Sequence, residues 1–249
     1  MNKERISLMN NSYILKAISL LATLCIAAGC RGSTTVETTT GAGTQAETST
    51  VSETTTAAES VSAEVEELEV DHVDEDGTVY YKNPTEWTYE MVYEALTIEG
   101  KKVQAPLTFE DFGDKYSLNE ATLTYFEDTK HLEAGIIYDE KKFGSILLTD
   151  CADINDRYNK ELGFIALRDP EMRDVLPDIK VNNIGLGSVK SDVIDALGVP
   201  YSETSEIYQD GTLEGVLVYK SDPEQENGTL IVFLYDDKVT TFFMMLNYQ

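Results

Sequence analysis

The side chains best suited to covalent chemistry in this chain are its 3 cysteines, Cys25, Cys30 and Cys151. Cys30 has the most informative surroundings. It follows Ala27-Ala28-Gly29, and these close an apolar stretch, Ala17 to Ala28, that is preceded by Lys3, Arg5 and Lys16. A basic start, a short apolar zone and small residues before a cut are the three parts of a secretory signal. The apolar zone, about 12 residues, is shorter than the ~20 a helix needs to cross a bilayer, so it reads as cleavable and not as spanning. Cleavage after Gly29 leaves Cys30 first in the mature chain. Cys25 departs with the signal. Cys151 then stands alone in the folded part, where a small buried thiol is expected, and no intramolecular disulfide framework is open to the exported chain.

Other groups carry weaker signals. His72 and His131, the only histidines, belong to no His-x-x-x-His or Cys-x-x-Cys spacing, so no metal site is assigned. His131 reads as a solvated turn residue, and no Gly-x-Ser-x-Gly elbow supplies a serine nucleophile for it. Gly185-Leu186-Gly187-Ser188 precedes a helix, a place where anions bind. It lacks the third Gly of a dinucleotide loop and the Lys of a P-loop, so capping by Ser188 is the preferred reading. Asp71-His72-Val73-Asp74-Glu75-Asp76-Gly77 is the nearest approach to a calcium loop. With Gly77 at its sixth position, Asn83 falls where a bidentate Glu is required, so a solvated acidic linker is expected instead. Asp236-Asp237 and Asn227-Gly228-Thr229 read as turns. No catalytic residue and no cofactor is assigned, and the chain is read as a non-enzyme.

Ala27-Ala28-Gly29-Cys30 resembles the lipobox of bacterial lipoproteins, with Ala27 in place of the usual Leu. The resemblance implies that residues 1–29 are removed, that Cys30 carries a diacylglycerol, and that the protein sits on the outer face of the cell membrane. Two acyl chains give stable anchoring where one does not. Residues 30–78 are then the lipidated Cys30 and a Ser/Thr/Glu-rich tether. Its near absence of aliphatic residues between Arg31 and Glu67 leaves too little apolar surface to offset the entropy of ordering. A flexible coil of that length spans roughly 35 Å root-mean-square. The formal net charge is −26, and loss of the mostly basic signal makes the mature chain more acidic still. Such a chain repels nucleic-acid phosphates and anionic lipid, which excludes nucleic acid as a partner class.

Residues 79–249 form the expected globular domain, with 79–163 and 164–249 as possible halves. Pro84-Thr85-Glu86-Trp87 is expected to open a helix, with Trp87 as a core anchor. A strand, turn and strand follow at Leu96 to Ile98, Gly100 to Lys101 and Val103 to Ala105. Thr108 to Gly113 predicts a short helix, and Ala121 to Phe126, Glu133 to Tyr138 and Phe143 to Thr149 an antiparallel meander. Phe164 to Leu167 adds a strand, and Ile179 to Ile184 leads into a helix capped by Ser188 and stopped by Gly198 and Pro200. Strands at Val216 to Lys220, Thr229 to Tyr235 and Val239 to Leu246 complete the chain. The reading is α+β, antiparallel meander sheets with short helices packed on one face, in a degenerate tandem helix-plus-strands repeat. Tyr is abundant, 14 residues. Strand packing accounts for Tyr219 and Tyr235, while an interface on the outer face of the sheet would use others.

Gly187-Ser188 with Asp192-Val193, Leu197-Gly198-x-Pro200, then Tyr219, Phe233 and the closing strand, resembles the repeat of small lipoproteins of the SmpA/OmlA type and of the beta-lactamase-inhibitory-protein fold. The order of elements is also similar to uncharacterised lipoproteins of Gram-positive bacteria. The resemblance implies a helix-on-sheet module that holds other proteins without catalysis, here an envelope protein partner. The expected function is therefore a membrane-anchored, extracytoplasmic binding module. A cation- or small-solute-binding lipoprotein is the alternative, with an envelope hydrolase behind it.

Overall fold

The structure, a computed structural model, describes residues 68–169, 171–207, 213–222, 224 and 226–247. It opens with a hairpin of β1 (Val70–Val73) and β2 (Val79–Tyr81). The Asp74 and Asp76 carboxylates accept hydrogen bonds from the Thr78 amide at 2.9 and 3.1 Å and close its turn, the backbone role short acids take in turns. Ordered structure thus reaches back past Val79, and the acidic run is the tip of a hairpin. Thr88 begins α1 (Tyr89–Ala95) by accepting the Met91 amide at 3.4 Å. The helix starts later than Pro84 to Trp87 predicted. β3 (Leu96–Ile98) and β4 (Lys101–Lys102) follow, the second strand at the lysines and not at Val103 to Ala105. A 3-10 turn, Phe109–Phe112, sits between a capping box of Thr108 with Asp111 and Gly113 at φ 82.

A four-stranded meander comes next: β5 (Tyr116–Phe126), β6 (His131–Tyr138), β7 (Lys141–Leu148) and β8 (Leu162–Arg168). β9 (Ile179–Val181) pairs with β3, and α2 (Lys190–Leu197) precedes a second meander of β10 (Ser202–Ile207), β11 (Leu213–Tyr219), β12 (Leu230–Tyr235) and β13 (Lys238–Met245). Ser188 is not the cap of α2. Its hydroxyl instead accepts the Gly185 amide at 3.2 Å, and Val189 takes the cap position with no side-chain bond. Two-residue turns with positive φ, Asp139-Glu140 and Asp236-Asp237, close β6–β7 and β12–β13, the geometry whose twist suits a hairpin.

The last strands of the two meanders pair with each other, Thr241 opposite Arg168 and Met245 opposite Phe164. The result is a 10-stranded antiparallel sheet in the order β1-β2-β10-β11-β12-β13-β8-β7-β6-β5, beside a 3-stranded sheet β4-β3-β9. Residues 163 and 164 both lie inside β8, so the join between meanders is a continuous ladder. Both helices, the 3-10 turn and the small sheet lie on one face of the large sheet. There Val92, Leu96, Phe112, Ile179, Val193 and Leu197 share a single core with the inward residues of the strands.

The architecture is β-rich, which corrects the α+β expectation. The helices have 7 and 8 residues, and each buries two side chains, too few to make a helical layer. The tandem helix-plus-strands repeat is corrected with it. The first meander follows only a 3-10 turn, and each meander has four strands. The missing strand of the second is β10, whose sequence Ser-Glu-Thr-Ser-Glu-Ile carries almost no apolar signal.

Candidate binding face

Strand alternation gives every residue of the large sheet to one of two faces. On the inner face Leu132, Ile146, Ile165, Leu217, Val232 and Phe242 are completely buried. The neighbouring residue in each strand points the other way, and three cross-strand ladders cover that outer face.

The first ladder is Thr204, Val216, Phe233, Thr241 and Arg168, each opposite the next across β10, β11, β12, β13 and β8. These residues, together with Glu206, Glu214 and Tyr235, line an open groove of about 480 Å³. The second ladder runs Val218, Ile231, Phe243, Ala166 across four strands, with Ser202 and Ser145 at its two ends. The third is Met245, Phe164, Leu147, Glu133 and Thr124. Phe164 and Phe243 tie the last two together, their ring centroids 5.0 Å apart.

Two properties set this face apart. Its central apolar residues, Val218, Ile231, Phe243, Phe164 and Leu147, are 5–8% exposed, yet they stand outside the main core. Among the described residues, the buried polar or charged side chains that lie within strands of the large sheet, Asn119, His131, Glu133, Ser145, Ser202 and Thr241, also fall here. Lys220 has its ammonium 4.7 Å from the Tyr201 ring, and burial holds its pKa below the usual lysine value. Burial pushes the Glu133 carboxyl above the ordinary carboxylate range. A face that mixes aromatic, aliphatic and buried polar groups can bind and orient.

No family model, no curated protein and no solved structure matches this chain. The face must therefore be understood from its own chemistry.

The other residues singled out by sequence are scattered. Cys30, the proposed lipid attachment, lies outside the described residues, as do the signal segment, most of the tether, Tyr208 and Tyr248. Cys151 is fully buried, and burial pushes its thiol up to about 11. His131, expected to be solvated, is buried as the first residue of β6, because the strand begins earlier than Glu133. His72 is exposed, stacked on Tyr80 with centroids 4.5 Å apart and bonded to Asp71 at 2.8 Å. At the Gly185 to Ser188 turn, amides are spent internally: Gly187 donates to the Val239 carbonyl at 2.8 Å and Ser188 to that of Gly185 at 3.3 Å. Trp87 is a core anchor, its indole donating to the Leu197 carbonyl at 3.0 Å.

One polar group on the inner face escaped sequence reading. Glu203 of β10 accepts from the Tyr81 hydroxyl at 2.8 Å, the Lys190 ammonium at 2.6 Å and the Ser205 hydroxyl at 3.1 Å. It fastens β2 and the start of α2 to the sheet. The alternation of Glu203 with Ser205 was the available signal, a period of 2 written in polar residues.

Proposed function

We propose that this protein is a lipid-anchored extracytoplasmic lipoprotein, held to the cell membrane through Cys30, whose outer sheet face binds an envelope protein partner without catalysis. The anchor rests on the lipobox-like Ala27-Ala28-Gly29-Cys30 after a basic and apolar start. The binding role is carried by one observation, the gathering of most of the buried polar side chains among apolar residues on a sheet face that lies outside the core cluster of the described residues. A sheet face turned only to water alternates polar against an apolar opposite side. Protein interfaces combine an apolar, aromatic centre with embedded hydrogen-bonding groups. The resemblance to protein-holding lipoproteins points the same way.

The test uses the full chain in cells. Cys30→Ser is expected to abolish incorporation of labelled fatty acid and to move the protein out of the detergent phase. Phe243→Arg is expected to keep the anchor, to lower the thermal unfolding transition without abolishing it, and to lose a cross-linked partner that the equally destabilised Phe242→Val retains. Retention of that cross-link by Phe243→Arg would remove the outer face from the reading. A second reading, a small-solute-binding lipoprotein, would use the open groove of about 480 Å³ beside Arg168, Glu206 and Glu214.

A further inference from the structure

We infer that the β1–β2 hairpin is a detachable strap, which leaves β10 as one unit by turning at Asn83 while the rest of the sheet stays paired. The strap stands on the fold alone; its link to the membrane rests on the Cys30 anchor proposed above.

The two edges of the large sheet are fastened differently. β5, at one end, meets β6 at seven register positions and buries Tyr116, Leu118 and Asn119. At the other end β2 meets β10 at two, Tyr80 opposite Ser202 and Val79 opposite Glu203. β1, beyond it, is exposed along its whole length, and β2 is half-buried. No residue of either strand joins the core. Burial of apolar surface is the main force that holds an element down, and a region with little of it opens locally at low cost.

What fastens the strap is mostly polar. The Tyr81 amide donates to the Tyr201 carbonyl at 3.4 Å, and the Tyr81 hydroxyl to the Glu203 carboxylate at 2.8 Å. The Thr78 and Thr204 hydroxyls meet at 3.1 Å, and the Tyr80 and Tyr201 rings pack edge to face with centroids 5.7 Å apart. Water can take over each of these hydrogen bonds at small net loss. Glu203 keeps the Lys190 ammonium at 2.6 Å and the Ser205 hydroxyl at 3.1 Å when Tyr81 departs, so opening orphans no carboxylate.

The hinge is as well marked as the strap. Asn83 has φ 50, a left-handed conformation that Asn tolerates. Just beyond it the chain is tied down: the Thr85 amide donates to the Val199 carbonyl at 2.8 Å, and the Thr85 hydroxyl accepts the Val199 amide at 2.9 Å. A two-stranded hairpin alone is marginally stable in water, so a detached strap unravels. Residues 69–83 then lengthen the chain by up to ~50 Å, at ~3.3–3.6 Å per residue, and β10 becomes the edge of the sheet. With the chain anchored at Cys30, a pull between the membrane and a bound partner is relieved at the strap before it reaches the core.

Hydrogen exchange on the full chain in detergent micelles tests this at three amides. Tyr81 reports the junction of strap and sheet, Tyr201 the neighbouring pairing to the Val218 carbonyl at 2.7 Å, and Thr85 the far side of the hinge. Corrected for intrinsic rates, Tyr81 is expected to exchange about a hundredfold faster than the other two. Tyr81→Phe should raise the rate at that amide about fivefold and leave Tyr201 and Thr85 unchanged. Equal rates at all three, or a Tyr81→Phe variant that speeds all three alike, would mean that the hairpin opens only with the whole domain and would overturn the strap. A Thr85 amide as fast as Tyr81 would overturn the hinge. Cys30→Ser should show the wild-type pattern, so a chain that takes up no labelled fatty acid removes the membrane link and leaves the strap standing.

Discussion

Phe242 and Phe243 are neighbours in one strand, equally apolar and nearly equally hidden, yet they belong to different parts of the molecule. Phe242 is fully buried in the single core that joins the sheet to the helices and the small sheet. Phe243 lies against Phe164 on the other side, among Ser145, Ser202, Thr241 and Glu133. Low exposure has two meanings here. On the inner face it records close packing that holds the fold together. On the outer face it records a surface already partly withdrawn from water, with polar groups embedded where a partner could use them. Burial alone cannot separate the two; the chemistry of the neighbours does.

Truncation at these two positions is the strongest way to break that comparison. Phe242→Ala should cost ~3–5 kcal/mol, the transfer term plus a cavity that surrounding elements cannot fill. Phe243→Ala should cost less than half as much, because its site is able to close over the loss. Urea unfolding with unchanged slope would measure both. Equal losses would make the outer face a second core and end its case as a binding surface.

Much of the fold could be read from the chain, and the two faces could not. β6, β7, β12 and β13 sit close to where their β-branched and aromatic runs placed them, and the Asp-rich turns between them fell where short acids favour positive φ. Strands with low exposure on both faces lose the polar and apolar alternation that assigns faces. Leu-Ile-Val-Phe-Leu-Tyr in β12 and Phe-Phe-Met-Met in β13 are therefore silent about which residue turns inward. The opposite failure hid β10, where the inward residues are Glu203 and Ser205 and the apolar count is too low to announce a strand. Helices were overestimated because capping residues such as Thr108 and Ser188 serve turns as readily as helices. Glu133 gave no signal at all, since a lone Glu in a strand usually faces water. Only the burial of its neighbours Leu147 and Phe164 makes it unusual.

The inner face sharpens the comparison through how it handles polar groups. Trp87 donates to the last turn of α2 at the Leu197 carbonyl, so Trp87→Phe keeps most of the ring and leaves that carbonyl without its donor. The expected loss is ~1 kcal/mol, read from the urea midpoint. No loss would mean that the carbonyl finds water, and that the inner face is less dry than its packing implies.

The last test runs in the opposite direction, toward greater stability. Glu133 is 9% exposed, and burial holds its folded pKa above the unfolded one. The folded state therefore holds the proton more tightly. The stabilisation this gives is fully present below the unfolded pKa and is lost as pH rises through the folded one. At neutral pH the ionised carboxylate is a burden. Glu133→Leu should raise stability by ~1 kcal/mol at pH 7, since an apolar replacement of a poorly compensated buried charge is commonly neutral or favourable. The gain over wild type should shrink toward zero as pH falls through the carboxylate range, with the shared acid unfolding cancelling in the difference. A stabilised variant would show that the fold carries this carboxylate at a cost. A destabilised one would return Glu133 to the ordinary packing of the sheet, and the two faces would then differ only in which elements lie against them.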